Sequence, residues 1–282
     1  MDSMRLPSSQ AGIKTGKNKP LVSIVTVVRN AESHIGSTIE SVRQQTYDNI
    51  EFIVIDGESS DGTLDILRQF DADIDYWVSE PDGGIYDAMN KGVLACNGEL
   101  IGIVGAGDRY APDAIQNIVN TYMRTNADVV YGNVELLDDA TGVISRRESI
   151  ALLMAKTMSS ISHPSTFTKA CIYREHPFDV TLRIAADYDL FLHLYVNGYV
   201  FAHSHSLIVC ILSGGVSASY ATIVEVYKIH RKNYGMVFTL KVFLASSARY
   251  CYFEMRRRVL KVLLPPKYFS IVRAYWLRIR SK

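Results

Sequence analysis

Glu99-Leu-Ile-Gly-Ile-Val-Gly-Ala-Gly-Asp-Arg-Tyr110 is the stretch whose reading decides the fold. Its apolar run, Leu100 to Val104, is short and unbroken, the pattern of a strand buried on both faces. Glycines then allow a tight turn, and one carboxylate, Asp108, stands just past the strand's end. In an open α/β sheet, ligands gather beyond the carboxyl ends of the strands. An acid there, with small neighbours Ala106 and Gly107, suits a hard cation carrying a phosphate. It equally suits a cap for the helix that begins near Pro112.

The flanking sequence repeats the same grammar. Leu21 to Val28 is rich in β-branched residues and predicts a central parallel strand, followed by helical spacing of Ile35, Ile39 and Val42. Ile50 to Ile55 predicts a second strand, and Asp56-Gly-Glu-Ser-Ser-Asp-Gly-Thr63 a polar turn into a helix carrying Leu64, Leu67 and Phe70. A third strand near Ile74 to Val78 leads through Ser79-Glu-Pro-Asp-Gly-Gly84 into a helix over 85–96. Strand and helix alternate with short links, which predicts βαβ units around a mostly parallel sheet. From Ala127 the pattern changes. Residues 129–137 and those from Val143 predict a hairpin antiparallel to the main sheet, and Ser162 to Phe167 another strand. A helix starts near Ala185, a late strand covers 200–212, and the loop Ser213-Gly-Gly-Val-Ser217 suits equally a diphosphate wrapped by backbone N–H groups and a plain mobile turn.

Composition bounds the class. The chain has 282 residues, 48% hydrophobic and 21% charged, enough for a sizeable core. The net charge of +1 hides an asymmetry: residues 228–282 hold 14 Lys/Arg and one acid, while the remainder is strongly acidic. A basic tail on an acidic body points to an anionic surface as partner. In residues 267–280, Tyr268, Phe269, Ile271, Val272, Tyr275, Trp276 and Ile279 fall within an arc of about 160° when placed on a helix. Flanking basic side chains would reach headgroups, so the expected surface is a membrane rather than nucleic acid. No run approaches the roughly 18 apolar residues of a spanning helix. The polar start, residues 1–19, has no signal-peptide pattern and is expected to be a disordered lead-in. Cys96, Cys171, Cys210 and Cys251 show no metal or disulfide spacing and are expected to be reduced core residues.

Taken in order, Val22-Ser-Ile-Val-Thr26 with Asn30, the Asp56–Thr63 turn, Gly84-Ile-Tyr-Asp-Ala-Met-Asn-Lys-Gly92, Gly98 through Asp108, and Ala186-Asp-Tyr-Asp189 resemble the family 2 glycosyltransferases of GT-A fold, in their bacterial surface-polysaccharide branch. The resemblance covers roughly residues 20–217 and implies a GT-A domain over 20–220, with basic amphipathic helices over 221–282. It implies that Thr26, Asn30 and Asp56 hold the nucleotide's base and ribose. Members often carry Pro and Tyr where this chain has Val27 and Arg29, so Arg29 would stack on the base through its guanidinium plane. Asp87 and Lys91 share one helix face with Asn90 and would meet the donor diphosphate or sugar, though a surface salt pair explains them as well.

Asp108 matches the last acid of the family's Asp-X-Asp motif, with Ala106 in the first acid's place and Gly107 between. It would hold Mn²⁺ or Mg²⁺. Asp187 matches the catalytic base, at a helix N-terminus that favours its ionised form. Asp61 is expected to cap a helix, and His163 to be structural or to touch the acceptor or the metal. The resemblance thus implies an inverting transfer from a nucleoside-diphosphate sugar to a lipid-linked (polyprenyl diphosphate) saccharide, by a cytoplasmic enzyme peripheral on the inner face of the plasma membrane. Two other readings are open. A nucleotidyltransferase would want a glycine-rich phosphate loop after the first strand, where this chain has Arg29-Asn-Ala-Glu. A non-catalytic nucleotide-sugar-binding protein would keep the fold without turnover.

Overall fold

The computed structural model of the chain describes residues 19–138, 142–154, 158–212 and 219–263. Its first half alternates as the spacing predicts: β1 (Val22–Val28), α1 (Ile35–Arg43), β2 (Ile50–Asp56), α2 (Thr63–Gln69), β3 (Tyr76–Ser79), α3 (Ile85–Ala95), β4 (Leu100–Gly105), β5 (Arg109–Tyr110) and α4 (Ala114–Thr125). The second half contains β6 (Val129–Asp138), β7 (Val143–Arg147), β8 (Thr166–Lys169), α5 (Ala170–Glu175), α6 (Ala186–Val196), β9 (Phe201–Leu212), α7 (Tyr220–Asn233) and α8 (Met236–Leu263).

These strands form one sheet in the order β3-β2-β1-β4-β8-β6-β9-β5, with β7 hydrogen-bonded to β6. Side chains alternate across β1: Val25 and Val27 join the core under α3 and α6, while Ile24 and Val28 join the core under α1 and α4. Both faces are therefore covered, which is why these strands read as unbroken apolar runs. α3 lies so close to β1 that a Cβ on Gly92 would stand 2.4 Å from Val25 Cγ1. This is the GT-A-like α/β arrangement, a mixed sheet between helical layers.

Three expectations need correction. Over 162–165 the chain forms a 3₁₀ turn at His163–Ser165, and the strand begins only at Thr166. Pro164 has no N–H to give a ladder, and the Ser162 carbonyl instead accepts from Ser165 N at 3.0 Å and Thr166 Oγ1 at 2.8 Å. Of the expected antiparallel hairpin, only β7 runs against the parallel strands. β8 occupies the place beside β4 and runs antiparallel to both β4 and β6, so β6 keeps the direction of the parallel strands. Of the cysteines, all free, only Cys96 is in the core; Cys171 and Cys251 are exposed.

α6 is buried around most of its circumference, with Ala186, Tyr188, Asp189, Leu190, Phe191, Leu192 and Leu194 all enclosed. Part of that enclosure is α7. Glu225 on α7 accepts three backbone N–H groups, from Arg183 (2.9 Å), Ile184 (2.9 Å) and Ala185 (3.0 Å), and so caps the start of α6 from another helix. Lys232 reaches Asp189 at 3.2 Å. His230 Nε2 lies 2.7 Å from the Tyr188 hydroxyl. That hydroxyl gives its one proton to the Met154 carbonyl, so His230 donates to it.

α8 folds back on α7 through aromatic pairs, Tyr227 with Phe243 and Tyr234 with Phe238, both at 5.0 Å between ring centroids. Met236, Val237, Leu240, Leu244, Tyr252 and Met255 of α8 remain exposed. Among the described residues no helix is long and apolar enough to cross a membrane. The loop 213–217, the arc over 267–280 and the lead-in short of Lys19 lie outside the described residues.

Candidate active site

The parallel register brings the chemistry-bearing residues to one rim of the sheet. Val28 pairs with Asp56, and Val27 with Gly105, so the exits of β1, β2 and β4 lie side by side. Asp56 is fully buried at the tip of β2. Its carboxylate accepts from Ser59 N (2.9 Å), Ser59 Oγ (2.5 Å) and Ser79 Oγ (2.7 Å), so it shapes the turn and joins β2 to β3. Three of its roughly four lone-pair sites are used, and with no exposed surface a ligand hydroxyl could reach the fourth only if the 57–59 turn shifted. Asn30, at a left-handed φ of 50°, donates its backbone N–H to Ser59 Oγ (2.7 Å), and its Oδ1 accepts from Ser60 N (2.8 Å). Arg29 is exposed beside this seam, its Cδ 3.5 Å from where a Cβ on Gly57 would stand. Thr26 lies within β1 between Val54 and Val104, fully buried, its hydroxyl unbonded among the described residues. It has no surface for a nucleotide to touch.

The turn after β4 is held by Thr38 of α1. Its hydroxyl oxygen accepts from Gly107 N at 2.9 Å, and its proton goes to the Asp108 carbonyl at 2.9 Å. Gly107 needs its positive φ of 103° for this turn, and Ala106 beside it is partly buried. Asp108 Oδ1 accepts from Leu212 N at 3.1 Å, at the end of β9. Burial pushes the Asp108 carboxyl up to about 7, opposed by that single N–H. Among the described residues no cationic side chain pairs with it. A partly buried oxygen donor without a counter-charge fits a divalent cation that takes its other ligands from phosphate and water. It does not cap α4, whose N-cap is Asp113.

Asp187 lies in the first turn of α6 and accepts from the Tyr86 hydroxyl at 2.9 Å. Tyr86 itself is buried on α3 against Phe178, with ring centroids 5.6 Å apart. A second tie runs beside it: Arg183 Nη1 donates to the Gly83 carbonyl at 2.7 Å. The turn before α3 is further set by Asp82, which accepts from Gly84 N, and by Asp87, which accepts from Gly83 N at 2.9 Å. Tyr86 stands inside a quoted motif, but its bond to Asp187 joins residues 101 apart, beyond any local pattern. Arg183 and Glu225 gave no local signal at all.

Lys91 departs from the expectation of a free diphosphate-binding charge. Its ammonium is 2.7 Å from Glu80, 2.9 Å from the Pro81 carbonyl and 3.7 Å from Asp87, and the Glu80 bond holds its pKa above the ordinary lysine value. It clasps the 80–87 turn. Asn90 also faces inward, bonding Phe178 through both its amide atoms. Asp61 accepts from Thr63 N and Oγ1 and from Glu32 N, organising the start of α2 while Gly62 is the capping residue. His163 is buried against Phe178 and Phe191, and its Nε2 has no partner among the described residues. Burial lowers its pKa, with the charge of nearby Asp187 opposing.

Residues 23–182 match the family described as glycosyl transferase family 2. An uncharacterised glycosyltransferase of Mycobacterium tuberculosis is 41% identical over 102 residues, covering 36% of this chain and 39% of that relative. One of Rickettsia typhi is 30% identical over 204 residues, 68% of this chain and 64% of its own length. A PGL/p-HBAD biosynthesis glycosyltransferase of Mycobacterium bovis is 26% identical over 184 residues, 63% of this chain and 71% of that one. Among solved structures, Staphylococcus aureus TarS in complex with UDP-GlcNAc superposes with a TM-score of 0.62 at 17% identity, over 74% of this chain and 64% of that one. A mannosyltransferase of Pyrobaculum calidifontis in complex with GDP-Man and Mn²⁺ gives 0.60 at 15% identity, over 92% and 85%.

Proposed function

This chain belongs to glycosyl transferase family 2, and from that premise we propose that it is an inverting, metal-assisted glycosyltransferase using a nucleoside-diphosphate-sugar donor. The observation that carries the reading is Asp187 at the start of α6, held at 2.9 Å by the hydroxyl of Tyr86, which stands in the first turn of α3. Asn30, with Asp56 once the 57–59 turn shifts, would receive the ribose and Arg29 the base, at the exits of β1 and β2. Asp108, with Ala106 and Gly107 leaving space around it, would hold Mn²⁺ or Mg²⁺. When bound, the cation supplies charge neutralisation for the leaving diphosphate. Asp187 takes the proton of the acceptor hydroxyl as that oxygen bonds to the anomeric carbon and the bond to the diphosphate breaks. Tyr86 keeps the carboxylate in place, and Arg183 holds the 83–84 turn against the start of α6. Neighbouring structures that carry UDP-GlcNAc or GDP-Man support the donor class.

The acceptor we propose is a lipid-linked saccharide of surface polysaccharide assembly. The basic C-terminal segment and the exposed apolar side chains of α8 support an enzyme resting on the inner face of the plasma membrane. The deciding experiment incubates the protein with Mn²⁺, a panel of nucleotide sugars and a polyprenyl-diphosphate saccharide. It then measures free nucleoside diphosphate and the anomeric configuration of the product. Acceptor-dependent release with inverted configuration is expected. Release of sugar 1-phosphate in place of nucleoside diphosphate would indicate nucleotidyl transfer, and donor binding without any release would indicate a binding protein.

A further inference from the structure

β9 is interrupted by a bulge. Tyr131 of β6 pairs with His203 and Asn133 pairs with Leu207, so two steps along β6 correspond to four along β9. The slack falls at Ser204–Ser206, with His205 at a left-handed φ of 59°. The distortion draws the rings of His203 and His205 to 4.3 Å between centroids. Glu148, the first residue beyond β7, comes to the same point: one ligand atom from each of Glu148, His203 and His205 lies within 4.8 Å of the other two.

We propose that Glu148, His203 and His205 form a binding site for a divalent transition-metal ion of the zinc class, separate from the cation site at Asp108. Two imidazole nitrogens and one carboxylate are a donor set that suits Zn²⁺ and leaves an open position, whereas Mg²⁺ and Mn²⁺ favour all-oxygen sites. Asn133 makes the arrangement specific. Its Oδ1 accepts from Ser149 N at 3.2 Å and its Nδ2 donates to the His205 carbonyl at 3.2 Å, so backbone partners fix which way the amide points. The same Oδ1 lies 2.9 Å from His203 Nε2. An amide oxygen only accepts, so Nε2 carries the proton and Nδ1 presents its lone pair for a metal. The Tyr131 ring, stacked on His203 at 4.9 Å and 12°, sets the plane of that imidazole. One side chain thus orders the neighbour of Glu148, the ring of His203 and the backbone of His205. The bound ion would clip the exit of β7 to the bulge of β9, the strand whose last N–H bonds Asp108.

The test uses the full-length protein stripped with chelator and titrated with Zn²⁺ alone, without nucleotide, by calorimetry. Saturable binding of one equivalent at this cluster is expected, with a rise in melting temperature. Both Glu148→Gln and His205→Asn sit at exposed positions, and Asn tolerates the left-handed backbone. Each should weaken binding by about tenfold or more and suppress the thermal shift, with circular dichroism unchanged. Asp108→Asn should leave the Zn²⁺ titration as it is, so this result stands apart from the donor-site reading. With Co²⁺ as probe, the spectrum should lack thiolate charge transfer. Absence of saturable binding, survival of full affinity in both variants, or a thiolate band lost on replacing Cys171 or Cys251 by Ser would each overturn the site.

Discussion

Asp187 and Asp189 stand on the same helix turn and meet different partners. Asp187 is half-buried and bonded to Tyr86, whereas Asp189 is buried and paired with Lys232 at 3.2 Å. Asp187→Asn should therefore lower turnover by ~10²–10⁴-fold with donor affinity retained. Asp189→Asn should cost stability and leave most of the turnover, as steady-state kinetics beside denaturant melts will report; reversed effects would move the base to Asp189. Tyr86→Phe removes a hydrogen bond to a charged group, worth about 1.5–3 kcal/mol, and should lower kcat without changing the donor's KM. Asp108→Asn should abolish the Mn²⁺ dependence of donor binding with little change in melting temperature, read by thermal shift with and without the ion. The places of Asp56, Asp108 and Asp187 are legible in the sequence because each ends or follows a strand or opens a helix. The role of Lys91 was not, because an i, i+4 spacing says which residues share a face and nothing of Glu80, which arrives from the preceding turn.

At the scale of elements, the βαβ half could be read because each strand there is buried on both faces and each helix shows its apolar stripe. In the second half the hairpin, the helix near Ala185 and the strand over 200–212 could be read as well, but the rest resisted for physical reasons. β8 is four residues long and follows a turn made by Pro164, so neither period nor length marks it. α6 is enclosed on most sides and has no polar face to betray its orientation. Its start depends on Glu225 from α7, so Glu225→Ala should strand three N–H groups. A loss of about 1–3 kcal/mol is expected in urea melts, together with reduced turnover through a loosened Asp187. α7 also makes a pH-dependent contribution. Burial lowers the pKa of His230 below its unfolded value, so the unfolded chain binds the proton more readily than the folded one. The neutral ring's contribution is present above the unfolded pKa of about 6.5 and is lost as pH falls from there through the folded pKa. His230→Gln should flatten that part of the pH–stability curve in urea melts between neutral and mildly acid pH.

The whole molecule has a charge axis, acidic in its catalytic body and basic toward the end of the chain. α8 adds exposed apolar residues to the basic end, beyond the aromatic contacts that seat it on α7. Removing residues 236–282 should leave a protein that still binds donor but no longer sediments with anionic vesicles at low salt. The full-length chain should lose vesicle binding as salt rises, since each basic residue near such a surface is worth about 1 kcal/mol. The sequence division at 220 separates the charge blocks well and the packing poorly, because Glu225, His230 and Lys232 all bond to α6 or its approach. One carboxylate on α7 thereby shields three consecutive amide protons, those of Arg183, Ile184 and Ala185. Deuterium can enter those positions only when α7 lifts away, so their exchange rates time the opening of that helix. Measured with and without vesicles, the same three amides report whether contact with a lipid surface tightens or loosens the ground on which Asp187 stands.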